Sequence, residues 1–378
     1  MNEKIDRLVS WMNGKKTGPL SLEIWPTNRC NLRCKMCGTW ASRRKAEEKG
    51  LIYNPEEERK RELPDEIWLK IIDDAIELGV KEFLITGGGE SLIRKETTLK
   101  LIKKIKECGA YGTLNTNGTL FSTQDVPEVI STEWDMIIFS IDGPDAETHD
   151  FIRNVKGTFN RVKKVLLEFK KQKKKLRVDK PKIVFNTVVL NKNFKKFLQL
   201  MKFAKTVDCE DITFIPLIAF DKSIEEFKLN PIEKFKLSKM ISKIDILSER
   251  FGIHTNIHEF KEKQISDIQR IDKAIKGEIE LFPQGFTSLP CYEPFLHLLI
   301  NPEGRTSCCC MLAGKSIKGD FLVRSLKDIW FGEWFNSLRE QFLRKELPED
   351  CSTCVFSQFI RNKQIREELK RNLFKEPI

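Results

Sequence analysis

No stretch of this 378-residue chain approaches the roughly 18 consecutive apolar residues that a membrane-crossing helix needs, although 40% of its residues are hydrophobic. The N-terminus, Met1 to Trp11, lacks the apolar core and the small-residue cleavage site of a secretory signal. These two absences lead us to expect a soluble, cytoplasmic protein with no membrane partner. Tyrosine is scarce, three residues against 26 phenylalanines, and the phenylalanines fall in apolar-periodic segments. A stacking platform for nucleic acid, which interleaves aromatic and basic side chains, is therefore not expected. The net charge of +11 keeps RNA only as a third reading. The lysines are dispersed, and their one run, Lys170 to Lys175, reads as a solvated helix end. Histidine is almost as rare, at four. His254 and His258 could share a helix face as metal ligands, but Gly252, Ile253, Thr255 and Ile257 favour an extended segment in which they are structural.

Cysteine is not scarce. Eleven cysteines in a chain of this kind read as metal ligands and buried thiols rather than disulfides. Cys30, Cys34 and Cys37 lie in one loop at C-x3-C-x2-C spacing. That spacing lets three thiolates converge on three irons of a cubane, and no fourth cysteine lies nearby to fill the last position. A zinc ion prefers paired C-x2-C arms and four filled positions, so it explains the spacing less well. With Asn31 and Leu32 inside it, the stretch Thr27 to Trp40 resembles the radical S-adenosylmethionine (radical SAM) superfamily. The resemblance implies a 4Fe–4S cluster whose open iron is chelated by the amino and carboxylate groups of SAM. Electron transfer to the sulfonium would then yield a 5′-deoxyadenosyl radical.

The chain around this loop repeats a pattern. Leu20 to Trp25 alternates as a strand and is stopped by Pro26. Pro64 opens a helix with Ile67, Ile71, Ile72, Ala75 and Ile76 on one face, and Gly79 closes it. Strands follow at Phe83–Thr86, Tyr111–Asn115, Met136–Ile141, Ile183–Leu190 and Ile212–Leu217, with helical segments such as Leu99–Cys108 and Thr158–Lys171 between them. Six strands alternating with helices give a parallel sheet with right-handed crossovers. The predicted fold class is α/β. The resemblance, over about residues 20–220, implies a partial (β/α)6 TIM-like barrel with a small C-terminal iron–sulfur module. Ser42 to Glu62, mostly charged and interrupted by Gly50 and Pro55, reads as a solvated surface loop or a lid.

Parallel sheets carry their functional groups at the C-terminal ends of strands, where the polar motifs of this chain fall. Gly87-Gly88-Gly89-Glu90 matches the superfamily's Gly-Gly-Glu signature. The resemblance implies that Gly88 and Gly89 let backbone approach SAM and that Glu90 accepts from its amino group. It also implies contacts from Met36, Ser140, Asp142 and Arg153, the last as a guanidinium fork on the SAM carboxylate; a surface ion pair is the alternative for Arg153. Asn115, Asn117 and Asn186 are candidates for ribose or adenine, with a local Asx turn equally able to explain Asn117.

Near the C-terminus, Phe295–Ile300 and Arg305–Cys310 flank Asn301-Pro-Glu-Gly304 and form a predicted hairpin. Cys291, Gly304 and Cys309, followed by Cys351 and Cys354, resemble a SPASM module that lacks its last cysteines. The resemblance implies one auxiliary 4Fe–4S cluster held by Cys291, Cys309, Cys351 and Cys354. Strand alternation makes Cys309 the least secure of these, with Cys308 and Cys310 on the opposite face. A structural zinc on the same thiols is the alternative. Cys108 and Cys209 lie in apolar elements and are expected to be inert.

The expected organisation is an N-terminal helix at 1–19, the core barrel at 20–220, a helical linker at 221–288, the auxiliary module at 289–356 and a helical tail at 357–378. The expected function is radical SAM oxidation of a small molecule by two electrons, the auxiliary cluster taking the second, with flavodoxin or ferredoxin as reductant. A peptide maturase or epimerase is the alternative, and a non-enzymatic iron–sulfur electron-transfer protein is the alternative of another class.

Overall fold

The structure, a computed structural model, describes residues 2–49, 53–219, 221–260, 285–315, 317–354 and 356–374. Six parallel strands form its centre: β1 (Ser21–Ile24), β2 (Glu82–Ile85), β3 (Tyr111–Thr116), β4 (Met136–Ser140), β5 (Lys182–Val189) and β6 (Asp211–Pro216), each paired with the next. Alternation decides what each face carries. Leu22 and Ile24, Phe83 and Ile85, Ile137 and Phe139, and Ile212 and Phe214 are buried on the outer face. The residues between them, among them Glu23, Asn115, Ser140 and Asn186, face the other side and stay half-buried.

Helices cover the outer face with stripes at the 3.6-residue period. The helix Asp65–Glu77 buries Trp68, Ile71, Ile72 and Ala75, and Thr158–Leu176 buries Val162, Val165, Leu166 and Phe169. Burying each such side chain contributes about 1.5–3 kcal/mol, so the layer locks the sheet's register and with it the strand ends. The lysine run ends this second helix, where Lys170 pairs with Asp208 and Lys173 with Glu210.

The sheet extends beyond both edges of the six strands. On one side β7 (His254–Thr255) pairs with β6. The segment around His254 is extended, as its composition suggests, and both His254 and His258 are exposed. Residues 261–284 of the expected helical linker lie outside the described residues. On the other side β8 (His297–Ile300) pairs in parallel with β1, Ser21 opposite His297 and Ile24 opposite Ile300. Its antiparallel neighbours β9 (Arg305–Ser307) and β10 (Ile317–Lys318) follow. The predicted hairpin turn is present: Asn301 Oδ1 accepts the N–H groups of Glu303 and Arg305, and Gly304 takes φ +76°. A second core joins the chain ends, with Ile5 and Leu8 of the helix Glu3–Met12 packed with Tyr292, Phe295, Ile365 and Leu369. Among the described residues no helix is long and apolar enough to cross a membrane.

Candidate functional site

Pro26 ends β1, and the chain turns into the cysteine loop. Two ion pairs hold that turn. Arg29 donates from Nε and Nη2 to the two oxygens of Glu62, both at 2.9 Å, and Thr27 Oγ1 also donates to Glu62. Arg43 Nη2 donates to the carbonyl of Asn28 at 2.7 Å and pairs with Glu58 at 3.0 Å. The charged stretch Ser42 to Glu62 is mostly exposed in its described residues, as its composition suggests, but it is not a plain loop. It contains parts of two helices, Gly38–Glu48 and Pro55–Arg61, that clamp the loop. Pro55 initiates the second helix, at a position where its missing N–H has no intrahelical partner to lose, behind Asn54 as cap.

Cys30, Cys34 and Cys37 line one cavity of about 240 Å³ together with Met36, Gly87 to Glu90, Asn115, Asn117, Ser140 and Arg153. These groups come from the ends of β1, β2, β3 and β4 and from the helix Ala146–Arg153. Sequence reasoning missed Trp40, Arg43 and Thr116, which also line it. Asp142 and Asn186 do not. Asn186 pairs with Ser140 in the sheet, and Asp142 lies behind the wall, fully buried.

The glycine run is required by the protein itself. A Cβ on Gly89 would lie 2.1 Å from the Arg29 carbonyl oxygen, and one on Gly88 would lie 2.5 Å from Asn28 Oδ1. The absence of side chains lets the turn after β2 press against the entry to the cysteine loop. Glu90, 3% exposed, accepts from Thr116 Oγ1 at 2.6 Å and Leu92 N at 3.2 Å on one oxygen, and from Asn117 N at 2.7 Å on the other. Burial raises its pKa, opposed by these donors. Asn117 makes the Asx turn considered for it, its Oδ1 accepting Thr119 N at 2.9 Å, and its Nδ2 also donates to Asn31 Oδ1, inside the cysteine loop, at 3.0 Å.

Arg153 is 8% exposed, so the surface-pair reading does not hold. Its Nη2 lies 2.7 Å from Asp142 Oδ2, and its Nη1 lies 3.8 Å from Cys34 Sγ. Burial works against its charge, but Asp142 and Cys34 outweigh it and raise its pKa. Asp142 is fixed in turn by Val188 N, 2.9 Å from Oδ1.

The donor set fits a cluster with one open iron: three thiols on one cavity, with no fourth cysteine in its lining. Two buried polar atoms on lining residues, Asn115 Oδ1 and Arg153 Nε, have no protein partner. Burial pushes the Cys30 thiol up to about 11 and Cys34 up to about 12, so metal loading must displace their protons.

A second set of thiols gathers beside β8 and β9. Cys291 is pushed well above the usual thiol range by burial first, then by Glu293 and by the nearby sulfurs of Cys309 and Cys354. Cys351 and Cys309 both pack at the edge of the main core. The alternation argument against Cys309 does not apply, because β9 ends at Ser307 and Cys310 already starts a 3-10 turn. Cys309 instead accepts from the Cys308 thiol and from the N–H groups of Met311 and Leu312, and its pKa is lowered. Cys209 is buried and its thiol donates to the Asp211 carbonyl, whereas Cys108 is half-buried at a helix end. Among the described residues no disulfide is formed.

Residues 24–204 match the family model for the radical SAM superfamily, and residues 291–355 match that for an iron-sulfur cluster-binding domain, SPASM. The chain is 25% identical over 370 residues to the tungsten-containing aldehyde ferredoxin oxidoreductase cofactor-modifying protein of Pyrococcus furiosus, covering 92% of this chain and 90% of that one. It is 26% identical over 292 residues to the AdoMet-dependent heme synthase of Methanosarcina barkeri, covering 76% of this chain and 78% of that one. Among solved structures, Streptococcus suis SuiB bound to precursor peptide SuiA superposes with a TM-score of 0.62 at 17% identity, over 89% of this chain and 70% of that one. That likeness is one of fold: a parallel-strand partial barrel with helices outside.

Proposed function

We propose, from the premise that this chain is a radical SAM superfamily enzyme carrying a SPASM domain, that it removes a hydrogen atom from a carbon of a small molecule and completes a two-electron oxidation. The observation that carries the reading is the single cavity on which Cys30, Cys34 and Cys37 meet the glycine turn, Glu90, Asn117, Ser140 and Arg153. When bound, the 4Fe–4S clusters supply the electron that cleaves SAM into methionine and a hydrogen-abstracting 5′-deoxyadenosyl radical, and an acceptor for the second electron leaving the substrate.

In this reading Cys30, Cys34 and Cys37 hold the SAM-site cluster, and Cys291, Cys309, Cys351 and Cys354 the auxiliary one. Arg153, kept charged by Asp142, faces the SAM carboxylate, while Gly88, Gly89 and Met36 offer backbone and Glu90 a remaining lone pair. Ser140, on the same lining, is the candidate for the SAM ribose or carboxylate and Asn117 the candidate for its ribose or adenine. Asn186 has the weakest support, being outside the lining. The substrate gives one hydrogen atom to form 5′-deoxyadenosine, then one electron and one proton. The small-molecule reading is supported by the two broadly similar relatives, named for modifying a cofactor and for making heme. A peptide substrate is the second reading, favoured by the shared fold with SuiB, which binds the peptide SuiA.

Anaerobic reconstitution tests this directly. About eight irons per chain are expected from two cubanes, falling to about four in Cys30→Ala with all SAM cleavage lost. Four irons plus zinc in the wild type would make the second site structural. With dithionite or flavodoxin as reductant, 5′-deoxyadenosine should form slowly without substrate. Solvent deuterium returned to an otherwise unoxidised product would replace oxidation by epimerisation.

A further inference from the structure

The helix Glu333–Leu343 buries Phe335, Leu338 and Phe342 in the main core, which also contains Cys308. Arg339 stands among them, 3% exposed. Its guanidinium carbon lies 4.3 Å from the Trp330 ring centroid, 4.7 Å from that of Trp11 and 5.5 Å from that of Phe335. Nε donates to the Pro294 carbonyl at 2.9 Å and Nη1 to Asn336 Oδ1 at 3.2 Å, while Nη2 is buried without a partner. Among the described residues, all of these contacts are with neutral groups. Burial lowers the Arg339 pKa to about 9, so the side chain is still a cation at neutral pH, and Cys308 acts in the opposite direction.

Taking a guanidinium out of water costs several kcal/mol, and aromatic faces return only about 0.5–2 kcal/mol each. A cation kept in such a place calls for a nearby negative charge that does not come from a carboxylate among the described residues. The contacts lead to the auxiliary cysteines. The Pro294 carbonyl that Arg339 holds belongs to the short helix Glu293–Leu296, whose Glu293 N–H donates to Cys291 Sγ at 3.5 Å. The carboxylate of Glu293 already faces Arg361 at 3.7 Å.

We propose that Arg339 is a charge-positioning residue for the auxiliary cluster, a caged cation with no carboxylate partner among the described residues, which raises the reduction potential of whatever cluster Cys291, Cys309, Cys351 and Cys354 hold. A fixed positive charge favours the more negative, reduced form. The inference rests on the two-cluster reading given above and adds to it why this cluster is suited to accept an electron.

The test is an EPR-monitored redox titration of the full, anaerobically reconstituted chain, with iron counted in every sample. Arg339→Gln should make reduction of the auxiliary cluster at least tenfold less favourable, about 59 mV lower for one electron, with the other cluster unchanged. Arg339→Lys keeps the charge and should restore most of that loss. Asn336→Asp leaves Arg339 in place but pairs it with a carboxylate, so it should lower the potential even if Arg339→Gln fails to fold. A wild-type potential in Asn336→Asp, or equal falls in Arg339→Gln and Arg339→Lys, overturns the proposal. Only four irons in the wild type would instead remove the two-cluster reading, a distinguishable result.

Discussion

Glu90 Oε2 accepts the backbone N–H of Asn117 at 2.7 Å, and that bond ties the turn after β2 to the turn after β3. The Asn117 side chain then reaches Asn31, so the same chain of contacts ends inside the cysteine loop. One buried carboxylate therefore links three strand ends that the cavity needs together.

Replacing it should be costly before any ligand is considered. Glu90→Gln turns one acceptor oxygen into a donor that faces N–H or O–H groups, and Glu90→Ala leaves Thr116, Leu92 and Asn117 without their acceptor. Each unmet buried group costs about 1–3 kcal/mol. Urea unfolding of the apo-protein should show a loss of roughly 2 kcal/mol for Glu90→Gln and more for Glu90→Ala. Wild-type stability in Glu90→Ala would mean the turns are held by other contacts.

The glycines should respond in a graded way. At Gly89 a methyl would meet fixed backbone, the Arg29 carbonyl at 2.1 Å, whereas at Gly88 it would meet the Asn28 side-chain oxygen at 2.5 Å, which can rotate away. Gly89→Ala is expected to displace the entry of the cysteine loop and reduce iron binding at Cys30, Cys34 and Cys37. Gly88→Ala should keep most of it. Iron per chain and melting temperature of the two variants, side by side, check the order.

This contrast also marks where sequence reading stops. The strand series was legible because alternation such as Leu22 and Ile24 against Glu23 is local, and the cysteine loop because three thiols at fixed spacing carry their own chemistry. The partners of Arg29, Glu90 and Arg153 were not legible. Glu62 and Thr116 lie tens of residues from Arg29 and Glu90, Asp142 lies 11 residues before Arg153, and composition alone cannot separate a surface lysine or arginine from a buried fork. The pairing of Ser21 with His297 is more distant still. Pro55 was misleading because the same residue that breaks a helix interior starts a helix at its first turn. Cys309 was misleading because strand alternation was carried past Ser307, where the strand ends.

The Asp142–Arg153 pair gives a prediction of a different size. Asp142→Asn keeps shape but leaves the guanidinium without its 2.7 Å partner in a buried site. Removing one member of a buried pair typically costs about 3–5 kcal/mol. The apo-protein should lose stability on that scale, and SAM affinity should fall as the Arg153 fork loses its support. If Asp142→Asn weakens SAM binding no more than a distant substitution of equal stability cost, Arg153 has no part in holding SAM.

The last prediction concerns acid. His149 sits one turn before Arg153, and its Nδ1 accepts the N–H of Asp142 at 3.2 Å, so the ring must be neutral with its proton on Nε2. Burial lowers its pKa to about 3, with repulsion from Arg153 adding to the shift and Asp150 opposing it. In the unfolded chain the ordinary value of about 6.5 applies. Between these two values the unfolded state binds a proton that the folded state refuses, so stability attributable to His149 is complete above about pH 6.5 and falls as pH falls toward about 3. The limiting slope is about 1.4 kcal/mol per pH unit. His149→Gln keeps a side-chain acceptor without the titration. Glu90 and Asp142, whose pKa values are raised, tilt part of the same window the other way, so the quantity to measure is the stability difference between wild type and variant at each pH. From pH 7 to pH 5 that difference should shift by roughly 2 kcal/mol in favour of His149→Gln, as judged by urea unfolding of the apo-proteins. A difference that stays constant with pH would mean that His149 is protonated in the fold and that the Asp142 N–H has another acceptor.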